Sequence, residues 1–260
     1  MLKYIIILII ICNVHSLSMI HSTTTINLCE KLSKDIFIEI NERKPFCDDI
    51  TKQFWLGIAG GPGAGKSTLS QLICSNLNSL GCSTIVLPMD GYHYSRQQLQ
   101  DISMKGDVTY DELLMRRGAE LTFDAVRFVN DMKKAKENGE ALLPVYSRQK
   151  SDPVENGVQL LKSHRVIIVE GNYILNFDQE RWSGLRNIFD EKWFISCSDL
   201  KTQRERLINR HLETWTEEKD RIWGNGKGGG AAKKADSNDV LNMEFVDKTK
   251  KYADRVIINI

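Results

Sequence analysis

The chain has 260 residues, 42% of them apolar and 27% charged, with 35 Lys and Arg against 34 Asp and Glu. That length can bury one sizeable core, and a net charge of +1 offers no basic field for nucleic acid. The six cysteines, Cys12, Cys29, Cys47, Cys74, Cys82 and Cys197, lack C-x-x-C spacing; this excludes the usual zinc pattern and a dense disulfide framework, and leaves buried, reduced thiols as the expectation.

Residues 1–18, "MLKYIIILIIICNVHSLS", place one lysine before an apolar run from Tyr4 to Cys12 and end in small and polar residues. This is the build of a signal peptide, and the run is short for a membrane span. An apolar first strand or helix is the alternative. Residues 19–50 begin hydroxyl-rich and without arginine, where a mitochondrial address would be arginine-rich. The pair reads as a two-part address to a plastid bounded by extra membranes, with a cytoplasmic chain as the alternative. Within this stretch, Leu28–Ile40 has helical spacing and is expected to pack on a domain spanning 51–260.

"FWLGIAG" (54–60) reads as a buried strand entering a glycine-rich turn, and Leu69, Leu72, Ile73, Leu77 and Leu80 then share one helical face up to Gly81. "STIVLP" (83–88), "RVIIVE" (165–170), "KWFISC" (192–197) and "RVIINI" (255–260) are further short apolar runs. Helical stretches separate them, among them 123–136, with Val126, Val129 and Met132 on one face, and 200–212. Strands alternating with helices predict an α/β fold, a parallel sheet with helices on both faces. "GNGKGGGAAKK" (224–234) contains G-x-G-x-x-G, but no strand precedes it, so it reads as a mobile loop and not as a second nucleotide site.

"GGPGAGKST" (60–68) satisfies G-x-x-x-x-G-K-S/T through Gly60, Gly65, Lys66 and Ser67. Glycines at Gly61, Gly63 and Gly65 let the backbone turn so that its amides meet phosphate oxygens, and the following helix adds its positive end. The expected nucleotide contacts are therefore Gly61, Pro62, Gly63, Ala64, Gly65, Lys66, Ser67 and Thr68, with Lys66 on the outer phosphates and Ser67 on magnesium. This identifies nucleotide binding and leaves the reaction open. Asp90, in "LPMDGYHY", follows the second strand and is placed to accept a hydroxyl proton and sit beside the metal; a plain Asp-Gly turn is the alternative. His93 follows within reach of a polar substrate. Glu170 closes the third strand, where a carboxylate can face magnesium, or else only water.

In order, "GGPGAGKST", "MDGYHYSR", "RRGAELTFD", "PVYSRQKSDP", "VIIVEGNYIL" and "RERLINRH" resemble the uridine kinase, phosphoribulokinase and pantothenate kinase superfamily over about residues 54–260. Within it the chain most resembles the ATP-dependent kinases carrying "DGFH" and "RRGAP-TFD". The resemblance implies a three-layer P-loop fold with a five-stranded parallel sheet and a lid at about 200–240. It also implies transfer of a phosphoryl group from ATP, with Mg2+, to a hydroxyl of a small molecule such as a nucleoside, a pantothenate-like acid or a sugar. Under it Asp90 is the general base, Glu170 a second metal-facing acid, and Arg206 and Arg210 close on the phosphates, with Arg204 a weaker candidate. His93, Arg116, Arg117, Tyr146, Arg148 and Tyr173 fall in stretches that surround the acceptor, although Arg116 and Arg117 could instead cap a helix or pair with Glu120. "GYHY" after Asp90, the long spacer 100–115 and the long tract between His211 and Asp239 depart from the uridine kinase pattern. They leave the acceptor open, as oligomeric state is left open. A switch GTPase would need an N-K-x-D tetrad, which is missing, and a module without catalysis would not need both Asp90 and Glu170.

Overall fold

The computed structural model describes residues 23–44, 46, 49 and 51–259. The targeting segment read over 1–18 lies outside them, as do Cys12 and Cys47, while Cys29, Cys74, Cys82 and Cys197 are free thiols. In chain order the strands are β1 (Phe54–Ala59), β2 (Thr84–Pro88), β3 (Ala141–Ser147), β4 (Asp152–Leu160), β5 (Val166–Gly171), β6 (Glu191–Cys197) and β7 (Arg255–Asn259). The helices are α1 (Thr23–Glu42), α2 (Lys66–Ser79), α3 (Arg96–Lys105), α4 (Tyr110–Met115), α5 (Ala125–Asn138), α6 (Glu180–Ser183), α7 (Leu200–Glu213), α8 (Glu217–Trp223), α9 (Gly226–Lys234) and α10 (Val240–Asp247).

The five predicted strands form one parallel sheet in the order β2-β5-β1-β6-β7. They are apolar on both faces because helices cover both. Phe54, Leu56 and Ile58 of β1 join Val166, Ile168, Trp193 and Ile195 on one face, under α1 and α2. Trp55 and Ala59 join Ile167, Val169 and Phe194 on the other, under α5 and α6. The leading helix runs further than Leu28–Ile40 and buries Cys29, Leu32, Ile36 and Ile40 against the domain. On α5 the inward face is Ala125, Phe128, Val129, Met132 and Ala135; Val126, read as its partner, is 59% exposed.

Two regions depart from the sequence reading. β3 and β4 form an antiparallel hairpin that the alternation of apolar residues did not reveal, because β4 is polar and largely exposed. The tract 224–234 is not a mobile loop: its last nine residues are the helix α9. Left-handed Gly224, Asn225 and Gly226 turn the chain between α8 and α9, and Gly230 lies so close to Trp215 that a β-carbon there would meet its ring at 2.5 Å. Glycine in α9 is therefore a packing requirement and not a sign of looseness. The long spacer forms α3 and α4, each started by a capping box, Ser95 with Gln98 and Thr109 with Glu112. Among the described residues no helix is long and apolar enough to cross a membrane.

Candidate active site

Strand β1 ends in the loop that begins at Gly60, and α2 starts at Lys66 with left-handed Gly65 as its cap. The loop is held by side chains from two other elements. Gln203 Nε2 on α7 donates to Pro62 O at 2.7 Å, and Asn259 Nδ2 on β7 donates to Ala64 O at 2.9 Å. Gly60 approaches Ile195 O, where a β-carbon would sit at 2.4 Å. Lys66 is buried, and its ammonium donates to Asn172 Oδ1 at 2.7 Å and Gly61 O at 3.2 Å. Burial lowers its pKa, the charges of Glu170 and Asp90 oppose that, and Arg210 adds to it.

The sheet register brings the acids together. Pro88 pairs with Glu170, and Ile58 pairs with Glu170 from the other side, so Asp90, two residues past Pro88, stands next to the tip of β5. Ser67 Oγ donates to Glu170 Oε1 at 2.9 Å. Burial raises the Glu170 pKa and Asp90 raises it further, against the lowering by Lys66, the Ser67 bond and Arg148. A phosphate beside Lys66 and a cation beside Glu170 would reverse both shifts. Asp90 itself is exposed and so accessible to an incoming group. Two carboxylates and a hydroxyl are hard oxygen donors, a set that fits magnesium, which keeps waters and takes phosphate oxygens rather than filling a protein cage. Among the described residues no group of three or more His, Cys, Asp or Glu converges on a metal site.

The lid arginines separate. Arg210 is close enough to influence Lys66, Arg206 Nη1 reaches Cys197 Sγ at 3.7 Å at the end of β6, and Arg204 is spent on Asp236 through a two-pronged pair at 2.5 and 2.8 Å. On the acceptor side, the β3–β4 hairpin lies over the turn after β2; a β-carbon on Gly91 would meet Pro144 O at 2.2 Å. The hairpin carries Tyr146, whose ring is 5.3 Å from His93 and 5.5 Å from the Arg117 guanidinium, and exposed Arg148, whose charge reaches Glu170. His93 stacks on Phe123 at 3.9 Å, and burial brings its pKa down to about 4, leaving a neutral imidazole.

Arg117 anchors the hairpin, donating to Ser151 O at 2.8 Å and Asp152 Oδ1 at 3.1 Å. Arg116 is the C-cap residue of α4, and Glu120 binds Arg181 and Trp182 instead of either arginine. Tyr173 is not brought to an open cleft. Its side chain is fully buried and its hydroxyl donates to Gly118 O at 2.7 Å, so it fixes the Gly118 turn, and the expectation of direct acceptor contact gives way to positioning. Asn172, Gln203 and Asn259 were not anticipated. Asn172 had a signal, a polar residue just past a strand-end acid, whereas Gln203 and Asn259 are visible only once α7 and β7 are folded against the loop.

A cavity of about 1100 Å³ lies at the other end of the sheet, before the strands begin, lined by residues such as Gln53, Ser83, Arg165 and Asp190. Its size does not mark it as the site; the glycine-rich loop, Lys66, Asp90 and Glu170 lie at the carboxyl ends, where ligands bind in open α/β sheets.

No protein-family model matches the chain. A candidate uridine kinase of Schizosaccharomyces pombe is 33% identical over 210 residues, 78% of this chain and 81% of that protein. An ATP-dependent kinase-like protein of Aspergillus versicolor is 36% identical over 129 residues, 48% of this chain and 71% of that protein. Among solved structures, a candidate fructose transport system kinase from Silicibacter sp. TM1040 superposes with a TM-score of 0.70 at 25% identity, covering 88% of this chain and 98% of that one.

Proposed function

Since the chain belongs to the uridine kinase, phosphoribulokinase and pantothenate kinase superfamily of P-loop kinases, we propose that it moves the γ-phosphoryl group of ATP to a hydroxyl of a small metabolite, with Asp90 as base and Mg2+ as cofactor. The observation that carries this reading is the meeting of Lys66, Glu170 and Asp90 at the carboxyl ends of β1, β5 and β2. Names such as uridine kinase, pantothenate kinase and D-glycerate 3-kinase among its relatives and fold neighbours support a small hydroxylated acceptor without choosing one.

In this reading the loop amides and Lys66 would hold the triphosphate, Asn172 would aim the Lys66 ammonium, and Ser67, Glu170 and Asp90 would hold a magnesium ion. Bound there, the metal neutralises charge on the phosphates. The acceptor oxygen bonds to the γ-phosphorus, the bond from that phosphorus to the bridging oxygen breaks, ADP leaves, and the hydroxyl proton passes to Asp90. Arg210 is the lid cation placed to stabilise the transferring group, since its charge reaches Lys66 and a guanidinium can hold two oxygens at once. The direct test is Arg210→Ala against Arg206→Ala. Loss of about 10³-fold or more in kcat for the first, and a smaller loss for the second, supports this assignment; the reverse order overturns it. For the address, we propose a plastid route through residues 1–50. A fluorescent fusion to residues 1–44 that stays in the cytoplasm would exclude it.

A further inference from the structure

Helices α8 and α9 bring two lysines beside Arg210 that the transfer chemistry does not require. Lys219 donates to Thr214 O and, at 2.9 Å, to Thr214 Oγ1, and Lys234 lies 5.2 Å over the Trp223 ring. Neither lysine, nor Arg210, forms a carboxylate ion pair among the described residues. Three of the nearby acids have other partners: Asp239 meets His211 Nε2 at 2.5 Å, Glu218 meets Arg96 at 2.6 Å on both prongs, and Asp152 meets Arg117, while Glu217 and Asp220 of α8 are exposed. Burial, and then Lys234 and Arg210, bring Lys219 down to about 8 against the opposing charges of Asp239 and Glu218. Burial also lowers Lys234, against Asp239, with Arg210 and Arg117 adding to the lowering. Three cations with Asp239 and Glu218 as their shared, already paired counter-charges are costly to hold until a further anion joins them.

A separate observation points the same way. Arg117 Nε, His93 Nδ1, Trp215 Nε1 and Asn238 Oδ1 are buried and have no hydrogen-bond partner. They belong to one neighbourhood. Asn238 Nδ2 donates to Arg117 O at 3.1 Å, Tyr146 lies between Arg117 and His93, and Trp215 packs on α9 at Gly230, one turn before Lys234. Buried polar atoms are rarely left unpaired, and this set offers donors and an acceptor to a hydroxylated ligand.

We propose that the acceptor is a small hydroxylated anion, its carboxylate or phosphate held by Lys219 and Lys234 while its hydroxyl faces Asp90. This rests on the kinase reading above and narrows its substrate class. The experiment offers labelled ATP and magnesium with matched neutral and anionic acceptors: glycerol and glycerate, panthenol and pantothenate, ribose and ribose 5-phosphate. The expected result is label in at least one anionic member at ten or more times the kcat/KM of its neutral partner, and which pair responds separates carboxylate from phosphate. On that acceptor, Lys234→Met and Lys219→Met should each raise KM about tenfold, as for one charge-assisted contact, with the KM for ATP unchanged and Lys234→Arg restoring the low value. Equal or better labelling of neutral members overturns the proposal. So does labelling of none of the six by protein that binds ATP, or a rise in the KM for ATP instead of the acceptor's. Failure to bind ATP at all would sink the kinase reading itself, and this one with it.

Discussion

Lys66 is gripped by Asn172 Oδ1 and Gly61 O, so its ammonium is fixed before any phosphate arrives. Asn172→Ala should lower kcat about tenfold or more while the KM for ATP changes little, because orientation and not charge is lost; steady-state kinetics read this directly. Asp90→Asn keeps shape and removes the proposed base. Turnover should fall by about 10²–10⁴ with ATP affinity by equilibrium dialysis unchanged, and normal turnover would exclude Asp90 as base. His93 supplies a pH signature. The folded chain keeps its imidazole neutral down to about 4, whereas an unfolded chain takes the proton near the ordinary 6.5. The unfolded state therefore binds more protons between those values, and the stability from His93 is full above about pH 6.5 and lost as pH falls toward 4. Urea titrations from pH 7 to 4 should show a shallower acid decline for His93→Gln than for the parent, a difference that leaves out the similarly depressed His164 and His211.

At the scale of elements, the hairpin β3–β4 is the part of the site least visible beforehand. Gly91 lets it settle on the turn after β2, and a β-carbon there would push into Pro144 O. Gly91→Ala should cost about 1–3 kcal/mol by denaturant midpoint and raise the acceptor KM, since the hairpin brings Tyr146 and Arg148. The sheet strands were legible because runs such as "VIIVEG" are apolar on both faces. The hairpin was not, because "DPVENGVQL" is a solvated ribbon tied through Asp152 to Arg96 and Arg117, while β3 meets Gly91, all far along the chain. The glycine-rich α9 misled for a related reason: composition suggests a loose segment, but the packing of Gly230 on Trp215 depends on where α8 and α9 cross. The same distance from local pattern hid Tyr173, whose buried hydroxyl contact with Gly118 is set by tertiary placement alone.

Across the whole molecule, the parallel sheet gathers segments spread along the chain onto one edge: the loop after β1, Asp90 after β2, Glu170 and Asn172 at β5, and Asn259 on β7. The phosphate half of the site was readable because Lys66, Ser67, Asp90 and Glu170 each sit at a fixed offset from a buried strand. The acceptor half was readable only as candidates, because His93, Arg117 and Tyr146 meet through contacts between separate elements. Phosphoryl transfer from this edge to a small-molecule hydroxyl is read most directly by incubating the protein with γ-labelled ATP, magnesium and a metabolite library, beside Asp90→Asn with equal ATP binding. The parent chain should put label on an acceptor, and Asp90→Asn about 10²-fold less or lower still. Label found only as inorganic phosphate, or equally on the acceptor with both proteins, would contradict it.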